Sequence, residues 1–218
     1  MSEVKAGMTT KTKILIGVGL FSLVTVMTGY STYQYVVHDV YNSYKLKNLD
    51  SDTAWAEVMN QYQRRSDLIP NLVALVSQAA GHEHGTLKDV IEARAKANSV
   101  QLSADALKDP EAMKAFGRAQ GDLTTALSKL MMLTENYPTL KVNENFLNVQ
   151  AQLEGTENRI TVARNRYIGS VKVTNQVITT FPANVVAGFM NLKERPQFNV
   201  ASEQAAHAPK IETYKESK

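Results

Sequence analysis

The side chains of this sequence best suited to chemistry are its four histidines and a cluster of arginines and carboxylates. His82-Glu83-His84 sets two imidazoles and a carboxylate side by side, a donor set for a metal ion. The stretch reads as a turn between helices, and three ligands from one short turn make a weak site, so an exposed turn is the favoured reading. Di-metal carboxylate bundles need Glu-x-x-His on two helices, so that both ligands project inward one turn apart. No histidine here, whether His38, His82, His84 or His207, has an acidic residue three positions before it. Cysteine is absent, which removes disulfides, thiol nucleophiles and the usual structural zinc site. There is no glycine-rich phosphate loop and no Gly-x-Ser-x-Gly nucleophile turn. The residues give no positive support for an enzyme, a cofactor or a bound metal.

The charged cluster is more specific. Arg64, Arg65 and Asp67 lie on one expected helix, and Glu154, Glu157, Arg159, Arg164 and Arg166 on another. Arg65 falls on the apolar stripe of its helix, where an unpaired charge is costly to bury. Glu154 or Glu157 is the expected partner. An internal ion pair that sets helix register is the favoured reading; a polar binding site between helices is the alternative. On the first, Arg65→Met strands a buried carboxylate and costs about 3 to 5 kcal/mol. Gly155 and Thr156 are expected to keep the seam narrow there.

Long amphipathic helices must position these groups. Val142, Phe146, Val149, Leu153, Thr156, Ile160, Ala163 and Tyr167 recur at alternating steps of four and three, the spacing of one helical stripe. This organising helix is expected over Val142 to Phe181. Trp55, Val58, Tyr62, Arg65, Ile69, Leu72, Val76 and Ala79 form a second stripe, with Pro70 expected to kink it near Ser66. Gly81 suits a helix stop, and Thr86 with Asp89 has the arrangement of a capping box for a helix running to about Leu102. Asp109-Pro110 is a capped start for a further stripe, Met113, Phe116, Gln120, Leu123, Leu127, Leu130, Thr134 and Tyr137, closed by Pro138. Ala183 to Leu192 is apolar without a clean period. From 193 the chain is polar, and its last residues read as largely disordered. Four stripes on short connections imply neighbours packed antiparallel in a bundle.

Ahead of the bundle, Lys5, Lys11 and Lys13 precede a run from Ile14 to Val37 without a charged side chain. As a helix it measures about 36 Å, enough for a bilayer core of about 30 Å. Tyr30, Tyr33 and Tyr35 stand at its far end, where amphipathic rings suit the headgroup layer. The rival reading is a cleaved signal peptide, with Gly29 and Ser31 as small residues before the cut; the length of the run favours an anchor. Lys45 and Lys47 follow the span, and the positive-inside rule then puts the N-terminus in the cytoplasm and the bundle outside it. A net charge of +3, from 24 basic and 21 acidic residues, is too small and dispersed for a nucleic-acid partner.

Several of these residues make long runs: Ala54-Trp55, Asn60-Gln61-Tyr62-Gln63-Arg64-Arg65, Asp67 through Val73, His82-Glu83, Ala93-Arg94-Ala95, Glu135-Asn136-Tyr137-Pro138 and Gln152 through Ile160. Val162 through Tyr167, Phe181-Pro182 and Pro196-Gln197-Phe198 extend them. Together they resemble the LemA family of bacterial membrane-anchored helical proteins, over about Trp55 to Lys210. The resemblance implies an N-terminal transmembrane segment, a long antiparallel four-helix domain and no catalytic residues. Gly169, where a better helix former is usual, and Thr174, where an aromatic is common, depart from the family pattern. The expected organisation is a basic N-terminus over 1–13, a transmembrane helix over 14–37, an all-α bundle over 40–192 and a polar tail over 193–218. The expected role is a single-pass scaffold or interaction protein. Its partners would be the lipid bilayer and a second copy or another membrane protein. A ligand- or metal-binding bundle, or an enzyme, using Arg65, Glu154 and Glu157 or the His82 turn is the alternative.

Overall fold

The structure, a computed structural model, describes residues 10–80, 83–100, 102 and 106–196. Among these the regular structure is all helical. Helix α1 covers Thr10–Ala79, α2 His84–Ser99, α3 Pro110–Thr134, α4 Pro138–Lys141, α5 Glu144–Thr179 and α6 Ala183–Phe189, with a short 3-10 turn at Ala106–Lys108. The described residues divide into two compact units, one of residues 10–46 with Gln176–Lys193 and one of Lys47–Asn175 with residues 194–196.

The larger unit is the four-helix bundle, built from α2, α3 and the parts of α1 and α5 that fall in it. Partner numbers fall along α5 as they rise along α1, Ser51 meeting Thr174 and Arg65 meeting Glu157, so these two helices run antiparallel. Along α3 they rise together, Tyr62 stacking on Phe116 and Arg65 reaching Gln120, so α3 runs parallel to α1. The three long stripes face inward as their spacing predicts. Trp55, Val58, Tyr62, Arg65, Ile69, Leu72 and Val76 are buried on α1; Met113, Phe116, Gln120, Leu123, Leu130 and Thr134 on α3; and Phe146, Val149, Leu153, Thr156, Ile160, Ala163 and Tyr167 on α5, while Ala79, Leu127 and Tyr137 are half-buried. Burying each large apolar side chain contributes about 1.5 to 3 kcal/mol, much of it offset by ordering the chain.

The ends of the helices depart from the sequence reading in several places. Helix α2 begins at His84, two residues before Thr86, and its N-cap residue Glu83 makes no side-chain cap, so the Thr86–Asp89 capping box does not form. It ends at Ser99 rather than near Leu102. Pro138 opens the one-turn α4, and Val142 is exposed beyond the seam because α5 starts only at Glu144. That start is fixed by Asn143, whose Oδ1 accepts from the backbone N–H of Asn145 and Phe146 at 3.0 and 3.1 Å. The expected cap of α3 is present: Asp109 accepts from the Glu111 N–H at 2.9 Å with Pro110 at the first position.

Pro70 does not break α1. Proline offers no N–H, so the Ser66 carbonyl four residues earlier loses its helical donor. Arg94 of α2 supplies it, donating from Nε to Ser66 O at 2.9 Å. A side chain from the neighbouring helix thus closes the gap in the backbone ladder.

The smaller unit carries the apolar run of α1. Ile14, Leu15, Val18, Phe21, Val24 and Met27 are all largely exposed. The helix is long and apolar enough there to cross a membrane by length and composition. Chain atoms also enter this unit after Gln176, through the cis Phe181–Pro182 peptide and α6. Helix α6 stops at Asn191, whose φ of 51° is the left-handed conformation asparagine tolerates. The Leu192 N–H then bonds to Ala187 O at 3.0 Å and the Asn191 N–H to Gly188 O at 3.3 Å, the paired contacts of a Schellman stop.

Candidate functional site: polar layers inside the bundle

The bundle core is two apolar clusters rather than one. The first gathers Ile69, Leu72, Val76, Val90, Leu123, Leu130, Phe146 and Leu153 among others. The second gathers Trp55, Val58, Tyr62, Phe116, Ile160, Tyr167 and Val171 with their neighbours. Between them all four helices contribute polar groups at one level: Arg65 and Ser66, Arg94, Gln120 with Thr124, and Thr156 with Glu157.

Arg65 is the centre of this layer. Its side chain is 3% exposed and its Nη1 donates to Glu157 Oε2 at 2.9 Å, while the Glu157 side chain is 49% exposed. The same Nη1 reaches Thr124 Oγ1 at 3.1 Å, and Nη2 donates to Gln120 Oε1 at 2.5 Å. Its guanidinium carbon also lies 5.1 Å from the Tyr62 ring centroid. Burial pushes the Tyr62 phenol above its ordinary value, with Arg164 and Arg65 pulling it partly back and Glu157 adding to the rise. Thr156 is fully buried and returns its hydroxyl to Gln152 O at 2.7 Å, while the buried Arg65 Nε and Ser66 Oγ find no partner in the layer.

Of the cluster expected from the sequence, Arg65 and Glu157 come together across the bundle, and Arg164 on α5 faces the Tyr62 phenol of α1. Glu154 is exposed and accepts from Gln150 Nε2 at 3.0 Å on its own helix. Arg64 is exposed, and Asp67 accepts from Gln63 at 2.8 Å on the outside of α1. Arg159 and Arg166 line a shallow groove of about 290 Å³ with Glu57 and Gln61. A second groove, of about 330 Å³, lies between α3 and α5, where Arg65, Glu154 and Glu157 border Leu127, Met131 and Leu153. Gly155 does not bring helices together, since a Cβ added there meets nothing within 4 Å.

A second polar layer lies on the other side of the Trp55 cluster. Arg195 is 4% exposed, although it stands in the stretch expected to be a polar tail. It donates from Nη1 to Asn48 O and Oδ1 at 3.0 and 2.9 Å and from Nη2 to Asp52 Oδ1 at 2.7 Å. Asn175 holds the Arg195 backbone with two bonds of 2.9 Å each. Ser51 and Thr174 share a 2.8 Å hydroxyl contact beside it, and Thr174 also donates to Lys47 O at 2.9 Å. Burial raises the Tyr167 phenol, and the facing Arg195 guanidinium pulls it partly back.

At the other end, Tyr137 O–H donates to Glu83 Oε1 at 3.4 Å. Desolvation and that carboxylate hold the phenol above its usual value. His84 is exposed at the start of α2, and His82 lies outside the described residues. No three His, Cys, Asp or Glu side chains converge to hold a metal ion among the described residues.

These features define a membrane-associated helical protein: a bundle crossed by layers of buried polar groups, on a chain whose first helix carries an exposed apolar segment of membrane-crossing length. The chain belongs to the LemA family, whose model matches residues 54–212. Among its relatives, the magnetosome proteins MamQ 1 and MamQ 2 of Paramagnetospirillum magneticum are each 25% identical over 174 residues, 72% of this chain and 64% of theirs. Magnetosome protein MamQ of Magnetospirillum gryphiswaldense is 26% identical over 176 residues, 73% of this chain and 64% of its own. The chain thus spans 64% of the length of the relatives it matches.

Proposed function

We propose that this protein is a single-pass membrane scaffold that presents its bundle surface to a protein partner and catalyses no reaction. The supporting observation is that the buried arginines Arg65 and Arg195 are each paired with a carboxylate of the bundle itself. Arg65 and Arg195 each hold several protein acceptors. A catalytic group must instead turn an acceptor, donor or lone pair toward substrate, whereas the Nε atoms of Arg65 and Arg195 that lack a partner are buried. Relatives named as magnetosome proteins are consistent with a role in organising a cellular structure. The basic residues Lys11 and Lys13 before the apolar run, with Lys5, favour a cytoplasmic N-terminus and a bundle on the far side.

Carbonate-washed membranes should retain the full chain, and a C-terminal reporter active only outside the cytoplasm should give signal. Release by carbonate removes the anchor, and signal from a cytoplasm-only reporter reverses the topology. Crosslinking and purification from native membranes should recover a second copy or another membrane protein in stoichiometric amount.

The groove bordered by Leu127, Met131 and Leu153 favours a second reading, in which an apolar segment carrying a cation docks against Glu154 and Glu157. Glu154→Lys should then abolish capture of the partner without changing the melting temperature. Unchanged capture rejects that groove as the contact.

A further inference from the structure

Helix α6 presents apolar side chains on both of its faces. Val186 and Ala187 are buried, whereas Val185 is 52%, Phe189 80% and the preceding Phe181 83% exposed. Val185 and Phe189 stand four residues apart on one face of α6, and Phe181 lies in the turn just before it, across the cis bond to Pro182. Soluble surfaces seldom leave two phenylalanines and a valine uncovered together. This patch belongs to the same compact unit as the apolar run of α1. Tyr44 O–H donates to Lys193 O at 3.1 Å, which ties the chain just after α6 to α1. Tyr44 lies a short way along α1 beyond Val37, about 10 Å at 1.5 Å per residue. The headgroup layer outside a hydrocarbon core is about 5 to 8 Å deep on each side, so the Tyr44–Lys193 contact lies just beyond it, at a level from which long side chains reach back to it. Lys45 and Lys193, both exposed, flank that level with cations suited to lipid phosphates.

We propose that α6 is a second lipid contact, with Phe181, Val185 and Phe189 entering the boundary between headgroups and acyl chains of the bilayer that the Ile14–Val37 run crosses. This rests on the anchor reading given above. An aromatic and aliphatic patch of this kind lies in the plane of the interface rather than across it. The span fixes the chain to the membrane, and α6 fixes the height and tilt of the unit that joins span to bundle.

The chain has no cysteine, so single-cysteine variants carry one label each. Val185→Cys, Val24→Cys and Ala56→Cys, each labelled with a polarity-sensitive fluorophore, would be reconstituted into phosphatidylcholine–phosphatidylglycerol vesicles containing nitroxide lipids with shallow or deep quenchers. The expected result is a blue-shifted Val185 label quenched mainly by the shallow nitroxide, a Val24 label quenched mainly by the deep one, and an unquenched Ala56 label. In a Phe181→Ser, Phe189→Ser background the Val185 quenching should be lost while that at Val24 persists. A water-exposed Val185 label beside a quenched Val24 label overturns the proposal and leaves the anchor standing. An unquenched Val24 label overturns the anchor and the proposal together. Quenching at Val185 unchanged by the two serines means that the dye alone seeks lipid, which also rejects α6. A Val185 label shielded from aqueous quencher only at high protein density assigns the patch to a second copy instead.

Discussion

Arg65 and Glu157 form an ion pair with unequal ends, since the arginine is buried and the carboxylate is half in water. Removing the arginine lets Glu157 turn outward, so Arg65→Met loses chiefly the bonds to Gln120 and Thr124, about 1 to 3 kcal/mol. That is less than the cost expected when both partners were read as buried. Removing the carboxylate strands a buried cation, and Glu157→Leu should cost more, about 3 kcal/mol. Urea unfolding of the two single variants and their double would measure the pair; equal single costs or no coupling would count against this asymmetry. Coupling between Arg65 and Glu154 should be near zero, because Glu154 bonds to Gln150 on its own helix. Arg94 offers a second test at this scale. Arg94→Ala leaves the Ser66 carbonyl without a donor and should cost about 1 to 3 kcal/mol. In a Pro70→Ala background the restored N–H at position 70 serves Ser66 directly, and the Arg94→Ala cost should largely vanish. An equal cost in both backgrounds would assign Arg94 some other role.

At the scale of the elements, the stripes on α1, α3 and α5 were legible because a repeating apolar face writes itself into spacing. The partner of Arg65 was legible only to within one helical turn, since Glu154 and Glu157 are both near the seam and only rotation about α5 separates them. Arg195 was not legible at all. It is a lone arginine before a proline in a polar stretch, and its burial depends on Asn48, Asp52 and Asn175, none of which share a period with it. Helix α6 escaped for the opposite reason: apolar residues on both faces cancel the periodic signal. Gly155 was over-read as a point of close approach, whereas Gly169 was read only as a departure from the family pattern. Gly155 and Gly169 sit inside α5 with open space where a Cβ would go, so neither enables a close approach. Gly155→Ala and Gly169→Ala should each stabilise the bundle by about 0.5 to 1 kcal/mol, through backbone entropy alone. A destabilising alanine at either position in thermal unfolding would reveal a tight contact there.

For the whole molecule, the question is whether the bundle depends on the span for its fold. Both apolar clusters and both polar layers draw their residues from Lys47–Asn175 and Arg195, and none from the apolar run. Hydrophobic burial is local to the atoms that lose water, so the exposed side chains from Ile14 to Met27 contribute nothing to bundle stability in water. A chain lacking residues 2–37 should therefore remain helical by circular dichroism and unfold cooperatively at the temperature of the intact protein in detergent, within a few degrees. It should also be freed from membranes by carbonate, because the α6 patch is an interfacial contact and far weaker than a span. Adding Arg195→Ala to the shortened chain should lower its melting temperature, since Asp52 and Asn48 then lose their shared donor, although Asn175 still holds the backbone at 195. Loss of cooperative unfolding on removing the span alone would show that the bundle is completed by the membrane rather than carried to it.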